Sequence, residues 1–210
     1  MDKPSQIDSV LQIGFAIEKS EKSYVSFHKA GQRINITGND NIFYLKKGNA
    51  TIHTKNGNFV VFNYFGPEVV GVEKINGVPI LNHLRCVSDI EIHVVKSVDF
   101  IELLNTHGLW RHVFNIASQY MNDYNARDFM IHQPTAKDTV IQYLKYIWTF
   151  SSKKRESTSV ISFISARTYV ARSSIHKFIS ELERDGLIYV KRGRLIDCKL
   201  PAFVVNTVKH

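Results

Sequence analysis

The sequence predicts an α+β protein: an N-terminal β jelly-roll barrel, one long helix and a C-terminal winged helix-turn-helix domain. Three observations carry that expectation. Over residues 24–96, short β-rich runs alternate with Gly- and Asn-rich turns, the spacing of an antiparallel sandwich or barrel. After Ser97 the apolar residues recur every three or four positions, the repeat of amphipathic helices. The last 76 residues then hold the whole net charge of +8: 14 Lys and Arg face 6 Asp and Glu there, whereas residues 1–134 hold 13 of each. A neutral module joined to a basic one points to a sensor or scaffold carrying a polyanion-binding head.

Hydrophobic residues make up 44% of the chain and charged residues 22%, a balance that lets 210 residues bury a core. The segment Met1-Asp2-Lys3-Pro4-Ser5-Gln6 has no basic start leading into an apolar signal. No apolar run approaches the ~18 residues of a membrane span, so a cytoplasmic protein with no membrane partner is expected. Two distant cysteines, Cys86 and Cys198, exclude a disulfide framework and a CxxC redox pair.

In chain order, strands are expected at 24–27, 33–36, 42–45, 50–54, 59–65 and 90–95, with Asn56-Gly57 as a two-residue hairpin turn. A short helix is expected at 99–105 and a long one at 109–130, where Trp110, Val113, Phe114, Ala117, Tyr120, Met121 and Tyr124 form an apolar stripe. Two placements satisfy that stripe. It packs on the barrel, or it forms a homodimer seam built from Trp110, Val113, Ala117, Tyr120, Met121 and Tyr124. Pro134 biases its predecessor away from helix, and Thr135 suits the cap of a helix over 136–150. The domains are therefore read as 1–105, the barrel; 106–134, dimerisation helix and hinge; and 135–210, the winged helix-turn-helix. Residues 151–159, with Lys153-Lys154-Arg155, read as an exposed loop.

The basic end carries the chemistry. A short helix over 162–168 and a turn precede a second helix over 172–184, whose Ile175, Phe178, Ile179 and Leu182 lie on one face. Gly186 suits the left-handed position past its end, and two strands follow around Arg192-Gly193. Arg172, Ser173 and Lys177 fall away from the apolar stripe, where a recognition helix meets base edges of double-stranded DNA. A guanidinium can donate twice to guanine, which puts Arg172 first. Ser174, Arg167, His176, Lys191, Arg192 and Arg194 are placed as contacts to the DNA backbone, where geometry is looser. The alternative is a solvated face on a protein-binding adaptor.

Residues 171–183 followed by Gly186-Leu187-Ile188 resemble the recognition helix and wing entry of the Crp/Fnr superfamily of transcription regulators. Phe43-Tyr44-Leu45-Lys46-Lys47-Gly48 and Phe65-Gly66-Pro67-Glu68-Val69-Val70-Gly71 are similar to its barrel motifs. The resemblance implies a cyclic-nucleotide-type barrel, a dimerisation helix, base contact by Arg172 and Lys177, backbone contact by Ser174, and RNA polymerase as a further partner. Two departures stand out. Tyr169 occupies a turn position where the family favours Gly. Gly71 is followed by Val72-Glu73-Lys74, and Pro79-Ile80-Leu81-Asn82-His83 has no Arg, so the clamp for a cyclic phosphate is missing. A buried phosphate without a guanidinium is costly to desolvate, and cyclic AMP is not expected as a ligand. The lost clamp and short N-terminus are similar to the IprA branch (inhibitor of hydrogen peroxide resistance), which implies a link to oxidative stress.

No cofactor and no metal site is expected, since His28, His53, His83 and His93 are scattered without an His-x-His pair. Cys86 reads as a small buried hydrophobe, with redox sensing as the alternative. No nucleotide-binding glycine motif or nucleophile elbow is present, and an enzyme is not expected. Control by abundance, by a small ligand or by Cys86 oxidation stays open.

Overall fold

The computed structural model describes residues 5–36, 40–54, 59–77 and 82–203. The chain divides into two compact units, Met1–Asp123 and Tyr124–His210.

The N-terminal unit opens on α1 (Gln6–Lys19), a helix absent from the expected elements. A capping box starts it: the Ser5 hydroxyl accepts from the Asp8 N–H, and the Asp8 carboxylate accepts from the Ser5 N–H. Val10, Ile13 and Ile17 bury one side. Gly14 lets the helix touch the barrel, because a Cβ there would lie 2.3 Å from the Tyr44 ring.

Among the described residues eight strands follow: β1 (Tyr24–His28), β2 (Arg33–Asn35), β3 (Asn41–Lys47), β4 (Asn49–Thr54), β5 (Val60–Phe65), β6 (Glu68–Val70), β7 (Asn82–Cys86) and β8 (Ile90–Lys96). They pair antiparallel in two four-stranded sheets, β1-β8-β3-β6 and β2-β7-β4-β5. The expected hairpin turn Asn56-Gly57 lies outside the described residues. A 3₁₀ turn (Val72–Asn76) follows β6.

Alternate residues point between the sheets, so Phe43, Leu45, Ile92 and Val94 meet Ala50, Ile52, Leu84 and Cys86 in the inner core. The other face of β3 and β8 presents Ile42, Tyr44 and Val95 to α1, to α2 (Ser97–His107) and to α3 (Trp110–Ile131). Strand β3 is thus buried on both faces, which explains its unbroken apolar run Ile42-Phe43-Tyr44-Leu45.

The C-terminal unit contains α4 (Ala136–Trp148), α5 (Ser152–Ser157), α6 (Val160–Ser165), α7 (Arg172–Arg184) and the hairpin β9 (Ile188–Lys191) and β10 (Arg194–Cys198). Thr135 caps α4 by accepting from the Asp138 N–H. Val140, Leu144 and Ile147 of α4 pack with Val160 and Ile164 of α6, Ile175, Ile179 and Leu182 of α7, and Ile188 and Leu195 of the hairpin. The loop expected at 151–159 is instead mostly α5. Arg155 donates to the Trp148 and Phe150 carbonyls and stacks over Trp148, while Lys154 sits 4.0 Å from the Phe150 ring centroid. These cations hold the segment against aromatic faces.

Candidate nucleic-acid interface

Helix α7 separates its faces as its sequence demands. Ile175, Ile179 and Leu182 are buried, and Arg172, Ser173, His176 and Lys177 are exposed, with Ser174 half-buried at the edge. Three hydrogen bonds fix the frame around it. Lys137 of α4 reaches Glu181 at 2.9 Å, the Val190 N–H of β9 donates to the Glu183 carboxylate at 2.9 Å, and the Val160 N–H donates to the Gly193 carbonyl at 3.0 Å. Helix α7 and the wing are therefore tied to one core.

The wing turns through only two residues, Arg192 at φ 51° and Gly193 at φ 74°. Lys191 pairs with Arg194 across that turn. Two successive left-handed residues match the twist of the strands, and Gly takes that conformation freely whereas Arg is strained in it. The strained position carries an exposed cation, with Lys191 exposed and Arg194 half-buried beside it.

Arg167 departs from its expected place. Its guanidinium stacks 3.6 Å from the Phe163 ring centroid and donates to the Phe163 carbonyl at 3.0 Å. Burial pushes its pKa down to about 10. The side chain serves the edge of the core, a use that sequence spacing could not distinguish from an exposed cation. Tyr169, at the turn where the resembled family favours glycine, is 92% exposed, so the departure disturbs no packing.

Helix α3 carries two stripes rather than one. Val113, Ile116 and Tyr120 turn into the N-terminal unit, with Val113 only 7% exposed. The Tyr120 hydroxyl donates to the Val69 carbonyl and to Glu68 at 3.3 Å, and its ring meets Tyr64 at 6.1 Å. Val113 and Tyr120 are thus engaged within their own chain, which corrects their placement in a dimer seam. Trp110, Phe114, Ala117, Met121 and Tyr124 form the second stripe, spaced four, three, four and three. Phe114, absent from the expected seam, is its most exposed member at 75%, and Met121 is 67% exposed.

Residues 136–202 match a family described as winged helix-turn-helix DNA binding. Solved structures extend the likeness to nearly the whole chain. CLP of Xanthomonas campestris, a c-di-GMP responsive global regulator, shares 13% identity at a TM-score of 0.65, over 90% of this chain and 97% of its own. A cyclic nucleotide-binding domain containing protein from Listeria monocytogenes EGD-e shares 14% identity at 0.66, over 92% and 98%. A CRP-family transcriptional regulator from Thermus thermophilus shares 14% at 0.56, over 86% and 99%. The chain has the Crp/Fnr fold. No curated protein matches it by sequence.

Within the Crp/Fnr fold, the contact between barrel and α3 is acidic. Glu68 accepts from Tyr120 and from the Val69 N–H, yet burial pushes its carboxyl up to about 7. Burial also raises Asp123. Lys74 is buried, donating to the Ile36 and Asn41 carbonyls at 2.8 and 3.2 Å. Arg85 points the other way, on the outer face of β7, while Leu84 and Cys86 face the core.

Cys86 is 2% exposed, and burial raises its thiol pKa, which keeps the sulfur protonated and weakly nucleophilic. His53 and His83, scattered in sequence, are opposite one another on β4 and β7, with rings stacked at 5.1 Å. Among the described residues no three His, Cys, Asp or Glu side chains gather as a metal site, and no helix is long and apolar enough to cross a membrane.

Proposed function

We propose that the chain is a homodimeric, sequence-specific DNA-binding transcription regulator working in the cytoplasm. The observation that carries this reading is the exposed row Arg172, Ser173 and Lys177 on α7 beside a rigidly anchored cationic wing, within a segment that matches winged helix-turn-helix DNA binding. Arg172, Ser173 and Lys177 read bases; Ser174, His176, Lys191, Arg192 and Arg194 grip phosphates. Arg167 reinforces the helix-turn-helix from within. The α3 stripe of exposed Trp110, Phe114, Met121 and Tyr124 with half-buried Ala117 pairs two chains, so the operator is a rough palindrome with half-sites about one DNA turn apart. The working division of the chain is barrel 1–105, dimerisation helix and hinge 106–134, and DNA-binding domain 135–210.

The barrel acts without a cyclic-nucleotide clamp. Glu68 and Asp123 would meet an entering phosphate with carboxylates, and Arg85 faces away from them. The resemblance to the IprA branch suggests control of peroxide resistance, with RNA polymerase as the protein partner.

Selection of bound sequences from a random DNA pool tests the core of the reading. Recovery of a palindromic motif is the expected result. Binding without sequence preference, or no binding, overturns it, and the latter favours a protein adaptor. Saturable micromolar binding of cyclic AMP by calorimetry would refute the lost clamp. Unchanged peroxide resistance after deletion of the gene would refute the stress link.

A further inference from the structure

The outer face of the sheet β2-β7-β4-β5 juxtaposes like charges without an acid. Arg33 of β2 lies directly opposite Arg85 of β7, and His83 lies two residues before Arg85 on the same face. No Asp or Glu occurs in any of the four strands. Asp89 is held by Lys29 and Glu91 by Lys46 and Lys47, and neither Arg33 nor Arg85 forms an ion pair among the described residues. Like charges directly opposite one another destabilise a sheet, so this arrangement is unfavourable as it stands.

His83 supplies the second observation. The residue is 6% exposed, its ring stacks on His53, and its Nδ1 has no hydrogen-bond partner. A buried polar atom left unmatched costs free energy. Burial, then the charges of Arg33 and Arg85, push the imidazole pKa down. Among the described residues the two guanidinium groups lack an anionic acceptor, and the imidazole nitrogen lacks any partner.

We propose that Arg33, Arg85 and His83 form an oxyanion site for a phosphate group on the outer face of the barrel. A phosphate offers enough oxygens to accept from both guanidinium groups and from the imidazole N–H at once, and it cancels the cross-strand repulsion. The site is independent of the DNA-binding face and of the barrel interior.

The test uses the full chain at constant ionic strength, titrated with inorganic phosphate, AMP, citrate or chloride, and read by imidazole NMR signals of His83 and by thermal unfolding. Phosphate should shift the His83 signals saturably and raise the melting temperature by mass action. The R33Q/R85Q variant should bind at least about tenfold more weakly. Because the substitutions relieve repulsion at exposed positions, that variant should be at least as stable as the wild type in anion-free buffer, which separates lost binding from misfolding. AMP saturating at lower concentration than phosphate identifies a phosphate ester as the ligand; equal or weaker AMP binding identifies free phosphate. The proposal is overturned by any of four results: no saturable shift, equal effects of chloride, saturation by citrate alone, or an undiminished response in R33Q/R85Q. The same variant shows whether any heat from cyclic AMP arises here or inside the barrel.

Discussion

Replacing Glu68 with Gln should flatten the pH dependence of barrel stability. The Glu68 carboxyl titrates at about 7 in the folded protein, against 4.5 for an ordinary glutamate, chiefly because it is buried. The Val69 N–H and the Tyr120 hydroxyl oppose that shift, and the charge of Asp123 adds to it. Between these two values the folded state holds a proton that the unfolded chain has lost. Stability therefore falls as pH rises through that window and levels off above it. At about 1.4 kcal/mol per pH unit, the loss is about 3 kcal/mol. Glutamine keeps an acceptor for Tyr120 and Val69 but cannot ionise. E68Q should match the wild type near pH 4.5 and exceed it by about 3 kcal/mol at pH 8. Urea unfolding at both pH values provides the assay, followed by Trp110 fluorescence in a Trp148→Phe background so that the signal reports the N-terminal unit. Asp123 leaves a slope of the same sign, since burial raises it too. An E68Q variant that keeps the full wild-type slope, or a wild type whose stability rises with pH, would refute the reasoning.

Three further predictions concern the other surfaces. Arg172→Ala should cost about 1–3 kcal/mol at one base position and relax specificity there, whereas Arg192→Gly should weaken binding to all sequences similarly and lower the salt slope by about 1; binding curves on motif variants across salt check this, and equal effects would show the roles to be misassigned. Phe114→Glu should leave a folded monomer by sedimentation, while Ile116→Ala, on the buried stripe, should cost about 2–5 kcal/mol of barrel stability; a dimeric Phe114→Glu protein would remove α3 as the seam. Gly14→Ala should destabilise the N-terminal unit by about 1–3 kcal/mol through its clash with Tyr44, and a melting curve like the wild type's would show that α1 does not dock as described.

Most of the architecture was legible because its signals are local. Gly186, the Arg192-Gly193 turn and the spacing of Ile175, Ile179 and Leu182 define α7 and the wing without help from distant residues. What escaped the sequence depends on partners. Helix α1 hides its buried side because Ile7, Leu11 and Phe15 are apolar yet exposed, so no single face dominates. Helix α5 has no apolar stripe at all; it is held by Arg155 and Lys154 against Trp148 and Phe150. The same ambiguity placed Arg167 on the surface, since a stacked guanidinium and a solvated one look alike in one dimension. On α3, two apolar stripes lie side by side, and only the position of the barrel separates Val113 and Tyr120 from Phe114 and Met121. The arginine pair on the outer sheet arises from strands about fifty residues apart.

Strand β3 has no solvent face, and that makes it a party wall between two rooms. Phe43 and Leu45 furnish the space between the sheets, and Ile42 and Tyr44 furnish the seat of α1, α2 and α3. Close packing leaves such a wall little freedom to bend on one side alone. A molecule or substitution that crowds Phe43 would press Tyr44 against Gly14 and disturb the helices behind it. The barrel of this chain is therefore mechanically joined to the helix that bears its exposed apolar stripe, whether or not any ligand enters it.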